Sequence, residues 1–534
     1  MSRLLVMSVL LIHPPVVKPS EPPAGLARLA GALSSHGIPY VMLDANIEGI
    51  MHLIDNAPFG TDRWTQRARR NSVRNLASIR DRSLYDSFAK YRRVVEDLSR
   101  LLSVSAAPYG VKMSIADYQD QDRKGSPVKS QDLLYAAEHP EENPFHGYFK
   151  ERLGALMYSD DYSVVGFSLN YLSQALTAFA MIGFIKKRFP SLKIVLGGGL
   201  VTSWMKSPSW KNPFSGLVDH CIAGPGEIPL LSLLGRKPQA GVHCQPDFRG
   251  FPVDDYMAPG FILPYAASTG CYWGRCSFCP ERAEGNKYIQ IPTRTVTSEL
   301  GRIASDTKAT LIHLVDNAIS PGALRAFVKE PPGAHWYGFA RVTDELADPD
   351  LCSALKRSGC VMLKLGVESG DQDILDAMQK GTDLSQVSKA LMSVAKAGIA
   401  TYVYLLFGTP CETEREARAT LNFVAKHSQY ITFMNVAIFN LPLNSPETRE
   451  LELKTFYEGD LSLYTDFVHP KGWDRRMARA FLDKEFKKNP AVRQIIQRQP
   501  PFFTSNHAAF FTGAHVAPSS GKARRDSPSR SRIR

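Results

Sequence analysis

The sequence predicts an α/β protein made of two parallel-sheet units, an N-terminal doubly wound, Rossmann-like domain followed by a partial (βα)6 barrel. Three observations carry that expectation. Apolar runs of strand length recur without polar alternation, the pattern of strands covered on both faces. Stretches with apolar residues at helical spacing separate them. Glycine clusters fall just after several of the runs, where a parallel sheet gathers its ligand-binding loops.

The first apolar run covers residues 3–12 and is closed by His13-Pro14-Pro15. It is far shorter than the roughly 20 residues a membrane span needs, and no small-residue cleavage site follows, so neither a span nor a signal peptide is expected. Residues 26–34 read as a helix and 40–43 as the second strand. The pattern resumes with a strand over 163–169, a helix over 173–189 and a strand over 193–196 that runs into Gly197-Gly198-Gly199. A short strand over 219–223 leads to Gly224-Pro225-Gly226-Glu227, completing a first domain over 1–240. Within it, 51–160 is too long for an ordinary crossover and rich in Arg, Tyr and helix formers, so a helical insertion is expected there. A linker over 241–263 precedes the second series, 264–440, whose strands read 265–269, 310–315, 335–340, 361–367, 401–407 and 431–439. Helices over 346–357, 385–397 and 412–426 lie between them. A barrel of this kind carries its chemistry at the carboxyl ends of the strands. Residues 441–515 form an accessory segment with an amphipathic helix over 473–488 and an aromatic stretch over 500–511. His507 in that stretch is read as a packed or surface residue before a substrate contact.

The net charge of +12 does not by itself point to nucleic acid, because six Lys/Arg against one Asp in the last fourteen residues supply +5 of it. That Ser/Pro/Arg-rich end cannot bury enough apolar surface to order itself, and 516–534 is read as a basic disordered tail. The other basic stretch, 63–93, fits solvated helix faces. No specific nucleic-acid partner is expected. Of eight cysteines, Cys221, Cys244, Cys352, Cys360 and Cys411 are scattered, while three fall within nine positions. That asymmetry indicates a local ligand group in a reducing compartment, hence a cytoplasmic protein, rather than a disulfide framework.

The three are Cys271, Cys276 and Cys279 in Ser268-Thr-Gly-Cys-Tyr-Trp-Gly-Arg-Cys-Ser-Phe-Cys-Pro280. Thiolates converging on one loop suit a soft metal, and three of them on a cubane leave one iron open to a chelating cofactor. Structural zinc is the rival reading, but no paired Cys-x2-Cys or His pair follows downstream. Coincidental buried cysteines fit less well beside Gly270, Gly274 and two aromatics. The segment resembles the cluster loop of the radical-SAM superfamily, Cys-x3-Cys-x-aromatic-Cys, with Phe278 at the aromatic position and one extra residue in the first gap. Gly366-Val-Glu368-Ser369-Gly370, Asp376-Ala-Met-Gln-Lys380-Gly381 and Leu405-Leu-Phe-Gly-Thr-Pro-Cys-Glu412-Thr413 resemble that family's strand-four and strand-five segments, in order. The resemblance covers about 264–439. It implies a [4Fe–4S] cluster held by Cys271, Cys276 and Cys279, with S-adenosylmethionine on the open iron and Glu368, Ser369 and Phe278 against that cofactor. Asp316 and Arg341, at the ends of the second and third strands, are read as cofactor or substrate contacts, with structural ion pairs as the alternative.

A doubly wound domain ahead of such a barrel is similar to the cobalamin-binding class of the superfamily. Ser168, Gly197, Gly198, Gly199, Gly226 and Glu227 match a site where glycines let a large planar ring approach the backbone. Asp44-Ala-Asn46-Ile-Glu-Gly49 occupies the place of an Asp-x-His-x-x-Gly ligand motif, so the resemblance puts Asn46 and Gly49 beside cobalamin with no imidazole for cobalt. A domain that keeps the fold without the cofactor is the alternative.

The resemblance implies a 5′-deoxyadenosyl radical and, through cobalamin, methylation of an unactivated carbon. Radical cyclisation, rearrangement or oxidation on the same scaffold is the rival among enzymes. A non-catalytic iron–sulfur redox sensor or electron carrier is the rival outside them. Methylthio transfer to RNA is set aside, since the front domain has no second cysteine triad. A small-molecule or peptide substrate and an electron donor such as flavodoxin or ferredoxin complete the expected partners.

Overall fold

The computed structural model describes residues 8–120, 125–207, 210–237, 243–455, 458–501 and 508–513. His507 and the tail over 516–534 lie outside the described residues. No helix among the described residues is long and apolar enough to cross a membrane.

The front unit is a five-stranded parallel sheet. Its strands are β1 (Ser8–His13), β2 (Tyr40–Asp44), β3 (Tyr162–Ser168), β4 (Lys193–Gly197) and β5 (His220–Cys221), in the order β2-β1-β3-β4-β5. β1 and β3 are adjacent although the whole insertion separates them in sequence, so the order reverses between them and a crevice opens at their carboxyl ends. Five of the six β1 residues are buried, as a run without alternation requires. Helices α1 (Ala24–Ser35), α2 (Ala45–Asp55), α3 (Leu172–Arg188), α4 (Gly199–Lys206) and α5 (Glu227–Leu233) follow the strands in turn. Asp44 caps α2, accepting from the amides of Asn46 and Ile47, and its other oxygen accepts from the Tyr256 hydroxyl at 2.7 Å. Burial pushes the Asp44 carboxyl up to about 7. The segment between α2 and β3 is mostly helical, its longest helix being Phe88–Ala106, with one antiparallel hairpin, Val111–Ser114 with Asp117–Asp120.

The second unit is a six-stranded parallel sheet, β6 (Ile262–Tyr265), β7 (Leu311–Leu314), β8 (His335–Ala340), β9 (Cys360–Glu368), β10 (Ala400–Phe407) and β11 (Phe433–Ile438), paired in sequence order. The first strand ends at Tyr265 instead of running over 265–269. Ser268–Thr269 leave the barrel and pair antiparallel with Ile289–Gln290, because the buried Asp316 carboxylate captures the Ala267 amide and the Ser268 hydroxyl. The helix expected over 346–357 is broken at Asp348-Pro349 into Asp344–Ala347 and Pro349–Arg357, since proline cannot continue the first piece. The helix expected over 473–488 is an α segment, Arg475–Phe481, that widens into a π turn over Leu482–Phe486.

A buried ionic contact ties the units together. Glu21, in the loop between β1 and α1, reaches His313 Nδ1 on β7 at 2.8 Å, and Lys364 on β9 reaches His313 Nε2 at 3.0 Å. The His313 ring stacks on Tyr337 with centroids 4.4 Å apart, and Lys364 stands 4.9 Å above the same ring. Burial pushes Lys364 down to about 7 and lowers His313 as well. It also works against the Glu21 carboxylate, but His313, Lys364 and Lys18 more than reverse this, leaving its pKa below the ordinary value. Removing one partner of such a group strands the others. Glu21→Ala is expected to lower stability to denaturant by about 3–5 kcal/mol, with most of the loss recovered in Glu21→Ala/Lys364→Met. A single-variant loss under about 1 kcal/mol in equilibrium unfolding would remove this contact as the tie between the units.

Candidate functional site

The loop after β6 carries the three clustered cysteines and is held from several sides. Gly270 has φ 70°, and a Cβ there would stand 2.5 Å from the Lys287 carbonyl oxygen, so only glycine lets the loop fold this close to residues 287–288. The Ser277 amide donates to the Met378 carbonyl at 3.0 Å, and the Trp273 indole donates to the Gln379 carbonyl at 3.1 Å. Arg341, just past β8, donates to the carbonyls of Lys380 and Gly381 at 2.6 and 3.1 Å, with its guanidinium 4.0 Å from the centre of the Trp273 ring. The loop after β9 is thereby clamped onto the cysteine loop. Lys380 pairs with Glu368 at 2.7 Å and lies 5.5 Å from the Phe278 ring, which packs beside Phe439, Leu441 and Phe467. Glu368 closes β9 at φ 65°, just after a bulge at Gly366.

Cys271, Cys276 and Cys279 are free and partly buried. Burial raises the Cys276 thiol pKa, while Lys380 and Arg341 pull it back toward the thiolate. Burial pushes Cys279 up to about 11. Among the described residues, no three His, Cys, Asp or Glu side chains stand together at ligating separation. The donor chemistry still fits an iron–sulfur cluster: three thiols on one loop, cations beside the middle one, and no paired knuckle of the kind structural zinc needs.

At the flanks of this loop lies a cavity of about 770 Å³, which the cysteines themselves do not line. Ser168, Gly197, Gly198, Gly199, Gly226 and Glu227 all line it, together with the inner face of α1. Thr269, Gly270, Pro280 and Glu281 of the cysteine segment form the opposite wall. Gly198 has φ 108°, and a Cβ there would lie 2.4 Å from the Leu169 carbonyl oxygen. A wall of consecutive glycines leaves room for a broad planar group to approach the backbone, so the residues present fit a corrin ring. Sequence reasoning missed three residues that shape this wall. Asn170 accepts from the Gly199 amide at 2.9 Å and donates to Ser168 Oγ at 3.1 Å. Thr202 donates to the Gly198 carbonyl and accepts from the Gly224 amide, both at 2.9 Å. Arg28 pairs with Glu227 at 2.5 Å. Their signal was available only as helical spacing on α1 and α4 and as a polar residue after a strand.

Four sequence-predicted residues sit elsewhere. Asn46 is buried, with its amide committed to both the N–H and the carbonyl of Val17, and it pins the loop after β1 instead of lining the cavity. Gly49 faces the insertion, where a Cβ would meet the Phe145 ring at 3.0 Å. Both lie on α2, which follows the outer strand β2, away from the ends of β3 and β4 where the cavity opens. Ser369 is fully buried, bonded to Thr420 and to the Asp371 amide, so its hydroxyl belongs to the packing of the next helix. Asp316 braces residues 267–268, as described above, and its oxygens are occupied there.

Residues 265–424 match the family model described as the Radical SAM superfamily. Among curated proteins, the chain is 27% identical over 278 residues to bacteriochlorophyllide d C-12(1)-methyltransferase of Chlorobaculum tepidum, covering 48% of this chain and 58% of that protein. It is 25% identical over 287 residues to hopanoid C-3 methylase of Methylococcus capsulatus, covering 47% and 54%. The chain thus spans about half the length of these relatives. Among solved structures, it resembles the radical S-adenosylmethionine methyltransferase TsrM of Kitasatospora setae, with a TM-score of 0.53 and 16% identity over 92% of this chain and 89% of that one. It also resembles the cobalamin-dependent S-adenosylmethionine radical enzyme OxsB, with a TM-score of 0.53 and 13% identity over 90% and 67%. These two likenesses concern the fold, an α/β unit ahead of a partial parallel barrel.

Gly198 and Gly199 separate backbone need from open space. Gly198→Ala is expected to cost about 2 kcal/mol or more in equilibrium unfolding, from its left-handed backbone and the clash with Leu169. Gly199→Ala, where a Cβ has nothing nearer than Asn170 Oδ1 at 3.7 Å, should cost much less. Equal losses would show that the glycine wall is not set by the backbone.

Proposed function

We propose that this chain is a cobalamin-dependent radical-SAM methyltransferase acting on an unactivated carbon, in the cytoplasm, with a flavodoxin- or ferredoxin-type electron donor. The observation that carries the reading is the shared cavity: a glycine wall on one α/β unit and the two flanks of the cysteine loop on the other, Thr269-Gly270 and Pro280-Glu281, border one space of about 770 Å³. Cys271, Cys276 and Cys279 would hold the [4Fe–4S] cluster, and Glu368 and Phe278 would bound the S-adenosylmethionine site beside it. Ser168, the Gly197–Gly199 run, Gly226 and Glu227 would hold cobalamin. When bound, these groups supply a 5′-deoxyadenosyl radical and a transferable methyl group.

The chain's own residues hold the site together. Arg341 and Lys380 bring positive charge to the thiolate loop, which lowers the cost of keeping three thiolates close. Glu368 neutralises Lys380 and fixes its position at the end of β9. Arg341 and Trp273 lock the loop after β9 against the cysteine loop, and Asp316 fixes the point where the chain leaves β6. Aromatic packing around Phe278 excludes water from one side of the site.

Anaerobically reconstituted protein with dithionite and S-adenosylmethionine should release 5′-deoxyadenosine, and no release from fully iron-loaded protein would overturn the radical reading. Each of Cys271→Ala, Cys276→Ala and Cys279→Ala should abolish both the cluster absorbance and this release. Cys271→Ala alone leaving both intact would mean that another residue supplies the third thiolate. Cobalamin is tested separately, by a corrin visible spectrum that survives desalting. Turnover to methylated product without corrin would remove methyl transfer through cobalt.

A further inference from the structure

A second cavity, of about 400 Å³, lies where the segments outside the two sheets converge. One wall is the end of α4 and the loop after it, with Trp204 and Trp210. A second is the helical turn Pro280–Ala283 directly after Cys279, continuing to Glu284. The third is the accessory segment after β11, with Leu443, Asn444, Leu461 and Leu463. The insertion supports that third wall from behind: the Leu461 amide donates to the Val128 carbonyl at 2.9 Å, and the Ser130 amide donates to Asp460 at 2.8 Å.

Three residues, Ser203, Pro280 and Glu284, line both this cavity and the 770 Å³ one. Ser203 Oγ donates to Glu284 Oε1 at 2.6 Å, so a single hydrogen-bonded pair of side chains helps divide the two spaces. The small cavity is therefore next to the place where the proposed cofactors meet.

Its lining states a preference. Eight of its seventeen lining residues are tryptophan, proline or leucine, and these give it apolar faces that suit a flat body. Two carboxylates, Glu284 and Asp460, stand against one ammonium, Lys211, so nothing favours a phosphate or carboxylate ligand. Among the described residues, two that line the cavity carry buried polar atoms without a protein partner, the Trp204 indole N–H and Asn444 Oδ1. Trp204 is only 2% exposed, and a buried donor of this kind calls for an acceptor.

Resting on the function proposed above, we infer that this cavity is the substrate-recognition pocket, and that it takes an uncharged, flat ring system with a hydrogen-bond acceptor and a donor on its polar edge. Trp204 and Asn444 are the residues that read that edge.

The test is calorimetric titration of the full-length, anaerobically prepared protein with 2-quinolinone, a neutral two-ring lactam with adjacent N–H and C=O groups, and with quinoline-2-carboxylate, its charged counterpart. One saturable site for 2-quinolinone is expected, with the carboxylate bound at least about tenfold more weakly. Trp204→Phe should weaken 2-quinolinone by about tenfold, the scale of one lost hydrogen bond to a buried donor. Leu443→Trp, which fills the cavity from a partly exposed position, should abolish binding while leaving the circular dichroism spectrum and unfolding midpoint near those of the wild type. No saturable binding, a preference for the carboxylate, or undiminished binding in a folded Leu443→Trp protein would each overturn the assignment. The titration requires neither cluster nor corrin. A failed titration beside a positive 5′-deoxyadenosine assay removes this pocket alone, and the reverse result removes the radical reading alone.

Discussion

Glu21 leaves the front unit, enters the barrel wall at His313 and is backed there by Lys364, and that buried contact makes one site out of two parallel sheets. Each sheet gathers loops at the carboxyl ends of its strands whatever its neighbour does. Chemistry shared between the units needs those two ends to face each other at a fixed distance. An apolar interface would hold them together with less regard to register, because hydrophobic contact is non-directional. A carboxylate, an imidazole and an ammonium in series allow few arrangements, since any shift leaves a buried charge unpaired. The β1–α1 loop that carries Glu21 is also the loop that Asn46 pins through Val17, so the register set in the barrel passes directly to the crevice of the front sheet.

The cysteine loop presents the opposite problem. It has almost no secondary structure of its own, and three thiolates on it would repel one another. The structure answers with neighbours. Arg341 and Lys380 supply positive charge, and the carbonyls of Met378, Gln379, Lys380 and Gly381 are used up in gripping the loop or the arginine that holds it. Glu368 prevents Lys380 from being an isolated buried cation. The segment resembling strand four of the radical-SAM pattern therefore has two duties here: one face borders the site while the other keeps the cysteine loop in place.

What could be read from the sequence follows from how local each feature is. The cysteine loop was legible as a group because its three thiols lie within nine positions of the chain, and the sheets were legible because doubly covered strands leave continuous apolar runs. The glycine wall was legible for a related reason: Gly197 to Gly199 mark a strand end whatever lies beyond it. Asn46 and Gly49 were misplaced because their position in a motif says nothing about which side of the sheet its helix covers, and α2 turns toward the insertion. Ser369 was misplaced because its hydroxyl is claimed by Thr420, some fifty positions later, and no local pattern reveals such a partner. The first barrel strand was set three residues late because Ser268 and Thr269 do form a strand, in a different pairing decided by Asp316.

The two sheets leave little freedom for choosing a substrate. Their strand ends are occupied by the glycine wall, the cysteine loop and the contacts that hold them, and a side chain changed there disturbs the cavity itself. The segments beyond the sheets carry no such burden. The insertion and the accessory segment are separated by more than three hundred residues, yet they meet at Ser130 and Asp460 and at Val128 and Leu461, beside the partition formed by Ser203 and Glu284. A shape change in either segment reaches the small cavity without passing through β1, β3 or β4. The small cavity can thus be reshaped on one side of that partition while the geometry of the large cavity on the other side stays as the Glu21 contact sets it.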